Sequence, residues 1–150
     1  MPFEMPIGDT VVRGRKQPSR HNDLKETRDP IKILVVEDDP DLGDALCETL
    51  TMSGYRAAYA VDGIAALEML RKGDDLPHLI LLDLMLPRMD GWGFREAQLG
   101  DNRLKDIPVV VLSAAGEIVK PINADDLLRK PVTSEMLLAT IERVRRRRRV

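Results

Sequence analysis

HLILLDLMLPRMDGW, residues 78–92, is a short apolar run that stops at a carboxylate and breaks into a loop containing Pro87 and Gly91. A run this brief, closed by turn residues, predicts a strand over His78–Leu82. It lacks polar alternation, so both faces are expected to be covered, as in a parallel sheet between helices. The same pattern recurs on either side. Ile31–Val36 (IKILVV) stops at Glu37, Asp38 and Asp39, and Pro108–Leu112 (PVVVL) stops at Ser113. Tyr55–Val61 is a weaker strand, and Leu127–Arg129 is a short one ending at Lys130–Pro131.

Helical spacing fills the gaps. Asp39 can cap a helix that begins at Pro40, carries Leu42, Leu46 and Leu50 on one side and stops at Gly54. Asp62 can cap a second, through Ile64, Leu67 and Leu70 to Gly73, and a third runs from about Trp92 to Leu99. Thr133 can cap the last, with Leu137, Leu138, Ile141 and Val144 on one face. Strands alternating with helices predict an α/β fold, a doubly wound five-stranded parallel sheet with helices on both faces.

The expected organisation is a polar tail over 1–29, one domain over 30–144 and a basic extension over 145–150. Charge follows it: residues 31–142 hold eleven Lys/Arg against twenty Asp/Glu, and residues 143–150 hold six arginines and no acid. Cys47, the only cysteine, excludes an internal disulfide and a cysteine zinc site, and reads as a packed side chain. No apolar run approaches the roughly 20 residues that span a membrane. The N-terminus has no apolar core of signal-peptide length, so a cytoplasmic protein without membrane contact is expected.

In such a sheet the C-terminal strand ends share one edge, where ligands bind. That edge would gather Glu37, Asp38, Asp83, Ser113 and Lys130. Three close carboxylates repel one another, and a hard cation relieves the repulsion; oxygen ligands suit Mg²⁺. An ammonium and a hydroxyl beside a metal-bound carboxylate meet the needs of phosphoryl transfer to a carboxylate nucleophile. Each residue also has a plainer reading. Glu37 and Asp38 can serve as helix N-terminal charge, Ser113 as a turn residue and Lys130 as a surface lysine.

ILVVEDD, LILLDLMLPRMDGW, VVVLSA and LRKP, in that order and each following a strand, resemble the four signature segments of bacterial response-regulator receiver domains, of the single-domain kind found in chemotaxis regulators. The resemblance covers about residues 31–144. It implies the flavodoxin-like strand order 2-1-3-4-5. Asp83 would be the phosphoacceptor and Asp38 a direct Mg²⁺ ligand. Glu37 would act through a metal-bound water, and the backbone carbonyl of Met85 would be a further ligand. Ser113 would be the switch hydroxyl and Lys130 the phosphoryl contact, with a cis bond to Pro131. The implied partner is a sensor histidine kinase or a histidine phosphotransfer protein. The protein would be a stand-alone switch or relay, not an enzyme beyond its own phosphotransfer and dephosphorylation.

Two departures stand out. Sixteen residues separate Ser113 from Lys130 and include Pro121, where the family usually has about twenty with a helix, so the fourth helix is expected to be truncated or lost. Leu127 replaces the family's usual aromatic switch residue. These changes keep open an alternative, a pseudo-receiver that docks partners without phosphorylation. The arginine run Arg145–Arg149 could bind nucleic acid, but reads better as a solvated helix end beside the helix dipole.

Overall fold

The computed structural model describes residues 29–150, so the expected tail lies, but for Asp29, outside the described residues. Nine elements follow in order. They are β1 (Lys32–Val36), α1 (Pro40–Met52), β2 (Arg56–Ala60), α2 (Gly63–Lys72), β3 (Leu79–Asp83), α3 (Gly91–Leu99), β4 (Val109–Ser113), β5 (Asp126–Arg129) and α4 (Ser134–Arg148). All strand pairs are parallel, in the order β2-β1-β3-β4-β5. This is the flavodoxin-like arrangement expected.

Alternation along the strands divides the core. Leu34, Val36, Ile80, Leu82, Val109 and Val111 point to α2 and α3, meeting Leu67, Leu70 and the fully buried Phe94. Their neighbours Ile33, Val35, Leu79, Leu81, Val110 and Leu112 point the other way, to Leu46 and Leu50 of α1 and Leu137, Ile141 and Val144 of α4. Cys47 is half-buried against this second cluster. The expected caps form. Asp39 accepts from the amides of Asp41 and Leu42, Asp62 from Ala65 and Thr133 from Met136. Each cap of this kind is worth about 1 kcal/mol. Among the described residues no helix is long and apolar enough to cross a membrane.

The crossover from β4 to β5 contains no helix, so the last helix of the chain is α4. Its second half is nevertheless pinned. The Trp92 indole N–H donates to the Pro121 carbonyl at 3.3 Å, and Lys120 lies over the Trp92 ring. Buried Arg95 donates to the Asn123 carbonyl at 2.6 Å and to Gln98 Oε1 at 2.7 Å. Ile122 and Ala124 pack on the α2–α3 core. The first half is open: Gly116 has φ 81°, and Ile118 and Val119 are exposed.

Arginines beyond Val144 continue α4 to Arg148 rather than leaving the domain. Arg143 and Arg147 pair with Asp126 at 2.9 and 3.2 Å, Arg148 with Asp125, and Arg145 with Glu142 at 2.7 Å. Exposed pairs contribute only about 0–1 kcal/mol each. Together they engage much of the basic stretch with Asp125 and Asp126 at the start of β5 and with Glu142 of α4 itself.

Candidate functional site

Val36 of β1 stands opposite Leu82 of β3, so the next residues, Glu37 and Asp83, emerge side by side at the C-terminal edge of the sheet. Glu37 and Asp83 are 1% and 2% exposed, while Asp38 is turned to solvent. One carboxylate oxygen from each of Glu37, Asp38 and Asp83 lies within 4.8 Å of the others. Asp39 stands apart from this group, its Oδ1 taken by two amides of α1.

Lys130 enters from the end of β5. Its amide donates to the Ser113 carbonyl at 2.7 Å, and its Nζ lies 3.3 Å from both Glu37 Oε1 and Asp83 Oδ1. The Lys130–Pro131 bond is cis. Ser113, 2% exposed, ends β4 one residue past the Leu112–Asp83 pair. Met85 sits two residues past Asp83, in a loop folded back by the Gly91 amide, which donates to the Leu84 carbonyl at 2.7 Å. The fold therefore brings together the strand-end residues named from the sequence.

Electrostatics makes this a strained arrangement. Burial, and then the charge of Asp83, push Glu37 up to about 7. Asp83 is also raised, by burial, against the opposing pull of Lys130. Burial lowers the Lys130 ammonium, but the Asp83 and Glu37 carboxylates outweigh it and hold it above its usual range. Glu37 Oε1 and Asp83 Oδ1 are buried without a hydrogen bond. One ammonium shared by two such carboxylates leaves desolvated negative charge uncompensated. An all-oxygen donor set with orphaned buried atoms fits a divalent hard cation, Mg²⁺ above all.

Two neighbours of the site escaped the sequence reading. Tyr59 donates its hydroxyl to the Glu37 carbonyl at 2.6 Å, and Arg88 makes two bonds to Asp62 at 2.7 and 3.0 Å. Only the left-handed backbone of Arg88 was open to inference, because it sits in a Pro- and Gly-bounded loop.

The family model described as response regulator receiver domain matches residues 33–142. A DNA-binding dual master transcriptional regulator from Synechocystis, RpaA, is 40% identical over 126 residues, covering 77% of this chain and 49% of that protein. Response regulator MprA of Mycobacterium tuberculosis is 35% identical over 122 residues, covering 78% of this chain and 51% of its own. The chain thus spans about half the length of these curated relatives. Among solved structures, the chemotaxis response regulator CheY4 of Vibrio cholerae superposes with a TM-score of 0.71 at 29% identity, over 77% of this chain and 99% of its own. A putative response regulator from Chloroflexus aurantiacus gives 0.71 at 28%, over 77% and 98%.

Proposed function

Because the chain belongs to the response regulator receiver domain family of two-component signalling, we propose that it accepts a phosphoryl group on Asp83 from a histidine kinase or histidine phosphotransfer protein, with Mg²⁺ beside it. The observation that carries this reading is the buried Glu37–Asp83 pair shared by the half-buried Lys130, with Asp38 at its mouth. Glu37, Asp38, Asp83 and the Met85 carbonyl would hold the metal. When bound, the metal neutralises the carboxylates and the phosphoryl oxygens.

A carboxylate oxygen of Asp83 attacks phosphorus as the bond to the donor's imidazole nitrogen breaks, and the imidazole leaves with that electron pair. Lys130, already 3.3 Å from Asp83, remains in reach of one transferred oxygen as a point charge. The Ser113 hydroxyl can donate to another. Leu127, 39% exposed on the edge strand, has no ring to relay the change. Output is therefore assigned to the crossover that joins Ser113 to Lys130. Arg145, Arg147 and Arg148 are engaged by Glu142, Asp126 and Asp125, so no nucleic-acid partner is proposed for the arginine run.

Acetyl phosphate with Mg²⁺ should add the mass of one phosphoryl group to the intact chain, and EDTA should prevent it. The helix-free crossover favours a second reading, a docking module that signals without phosphate. An unchanged mass in protein that still binds Mg²⁺ would support that reading.

The capping geometry separates two adjacent acids. Asp38→Ala should weaken Mg²⁺ binding by at least about tenfold, as loss of a metal contact does. Asp39→Ala should leave affinity nearly unchanged and cost about 1 kcal/mol of stability through its lost cap. Calorimetric Mg²⁺ titration beside thermal melting reads both, and equal losses of affinity would reverse the assignment.

A further inference from the structure

The end of β2 supplies no ligand to the site, yet it touches both loops that do. On one side Tyr59 reaches across the first turn of α1 and donates to the Glu37 carbonyl, while the Glu37 amide donates to the Ala60 carbonyl at 3.1 Å. The ring has room because position 43 is glycine: a Cβ there would sit 2.8 Å from the Tyr59 hydroxyl and collide with the ring. The β1–α1 turn is thus held at its backbone by β2, in addition to the bonds its own carboxylates make, Glu37 Oε2 accepting from the Asp39 amide at 3.2 Å.

On the other side Asp62 is buried and fixed as the cap of α2, with Oδ1 accepting from the Ala65 amide at 2.8 Å. Onto this fixed carboxylate Arg88 docks bidentately from the loop after Asp83. An exposed ion pair contributes little, unless one partner is immobile and the geometry bidentate, as here. Arg88 holds φ 65°, a conformation disfavoured for a side-chain-bearing residue, and its two bonds to Asp62 hold it there. Gly63 completes the platform, since a Cβ there would lie 2.8 Å from the Met89 carbonyl of the same loop.

We propose that the end of β2 sets the separation of the two ligand-bearing loops. Tyr59 is the positioning residue for the Glu37–Asp39 turn, and Arg88, anchored on Asp62, is the positioning residue for the loop carrying Met85. The inference rests on Mg²⁺ binding at the site described above. Outer contacts that orient metal ligands typically govern affinity by about 10–100-fold.

The test uses the full chain and three variants: Tyr59→Phe, which keeps the ring, Arg88→Gly, which suits the left-handed backbone, and the two combined. Mg²⁺ affinity is measured by calorimetry, and melting in EDTA is measured alongside. Each single variant should weaken Mg²⁺ binding about tenfold. The double should weaken it about a hundredfold, because the residues act on different loops and their effects multiply. Ile141→Val, a small core truncation in α4, should lower the melting temperature and leave affinity unchanged. Variants that bind as the wild type does, or whose affinities merely track their melting temperatures as Ile141→Val would reveal, overturn the positioning role alone. A wild-type chain that binds no Mg²⁺ overturns it together with the functional reading.

Discussion

Asp83→Asn should abolish labelling by acetyl phosphate and leave a folded protein that melts, in EDTA, at or above the temperature of the wild type. An amide oxygen is too weak a nucleophile for phosphorus, and an amide cannot carry the acyl phosphate. The fold should persist because the cost of burying the Asp83 charge exceeds what its 3.3 Å ion pair with Lys130 returns, burial raising its pKa, and Lys130 keeps Glu37 as a partner. Removing that charge also relieves Glu37, whose protonation it promotes. A misfolded variant would melt lower, so the combination of lost label and retained melting is specific. Label of undiminished stoichiometry on another residue would overturn the assignment of Asp83.

The metal-free protein should lose stability as pH rises from about 5 to 8. Glu37 titrates near 7 in the folded chain and near 4.5 unfolded, so between these values the folded state binds more protons. Stability then falls with rising pH across that window and is flat, as far as this group is concerned, on either side. Asp83, also raised, acts in the same direction. A shift of this size corresponds to about 3 kcal/mol at the alkaline end. Glu37→Gln should flatten the slope and stabilise the metal-free protein at pH 8. Millimolar Mg²⁺ should also flatten it, because the cation favours the ionised carboxylates by mass action on the folded state. Denaturant melts at several pH values measure all three; stability that rises with pH in EDTA would contradict the arrangement of the site.

The parts of the molecule visible in the sequence are those governed by local rules. Unbroken apolar runs mark β1, β3 and β4, and Asp39, Asp62 and Thr133 announce helix starts by chemistry within three residues of themselves. The pocket was visible because strand ends of a parallel sheet share an edge, so five polar residues could be placed together without coordinates. Tyr59 and Glu37 lie 22 residues apart, and Arg88 and Asp62 lie 26 apart. No periodicity encodes such pairs. Arg95 and Gln98 are polar residues of α3, yet both are buried, because their side chains close the chain around the end of α3 and the crossover. Pro121 correctly disfavoured a helix in the β4–β5 crossover, but nothing local showed that Trp92 and Arg95 would hold the segment in its place. The arginine run followed the same logic, since its acidic partners on β5 lie about twenty residues upstream.

The crossover without a helix also makes the chain a natural host for inserted sequence. Its bend at residues 116–119 is exposed and glycine-containing, the kind of tip at which foreign segments are tolerated. Its downstream side is fastened by Trp92 and Arg95, so a graft there need not loosen β5. Its two ends lead directly to Ser113 and Lys130. A fluorescent reporter spliced between Gly116 and Lys120 would be leashed to both residues expected to meet the phosphoryl group. In a receiver with a full helix at this place, the same splice would first have to break that helix.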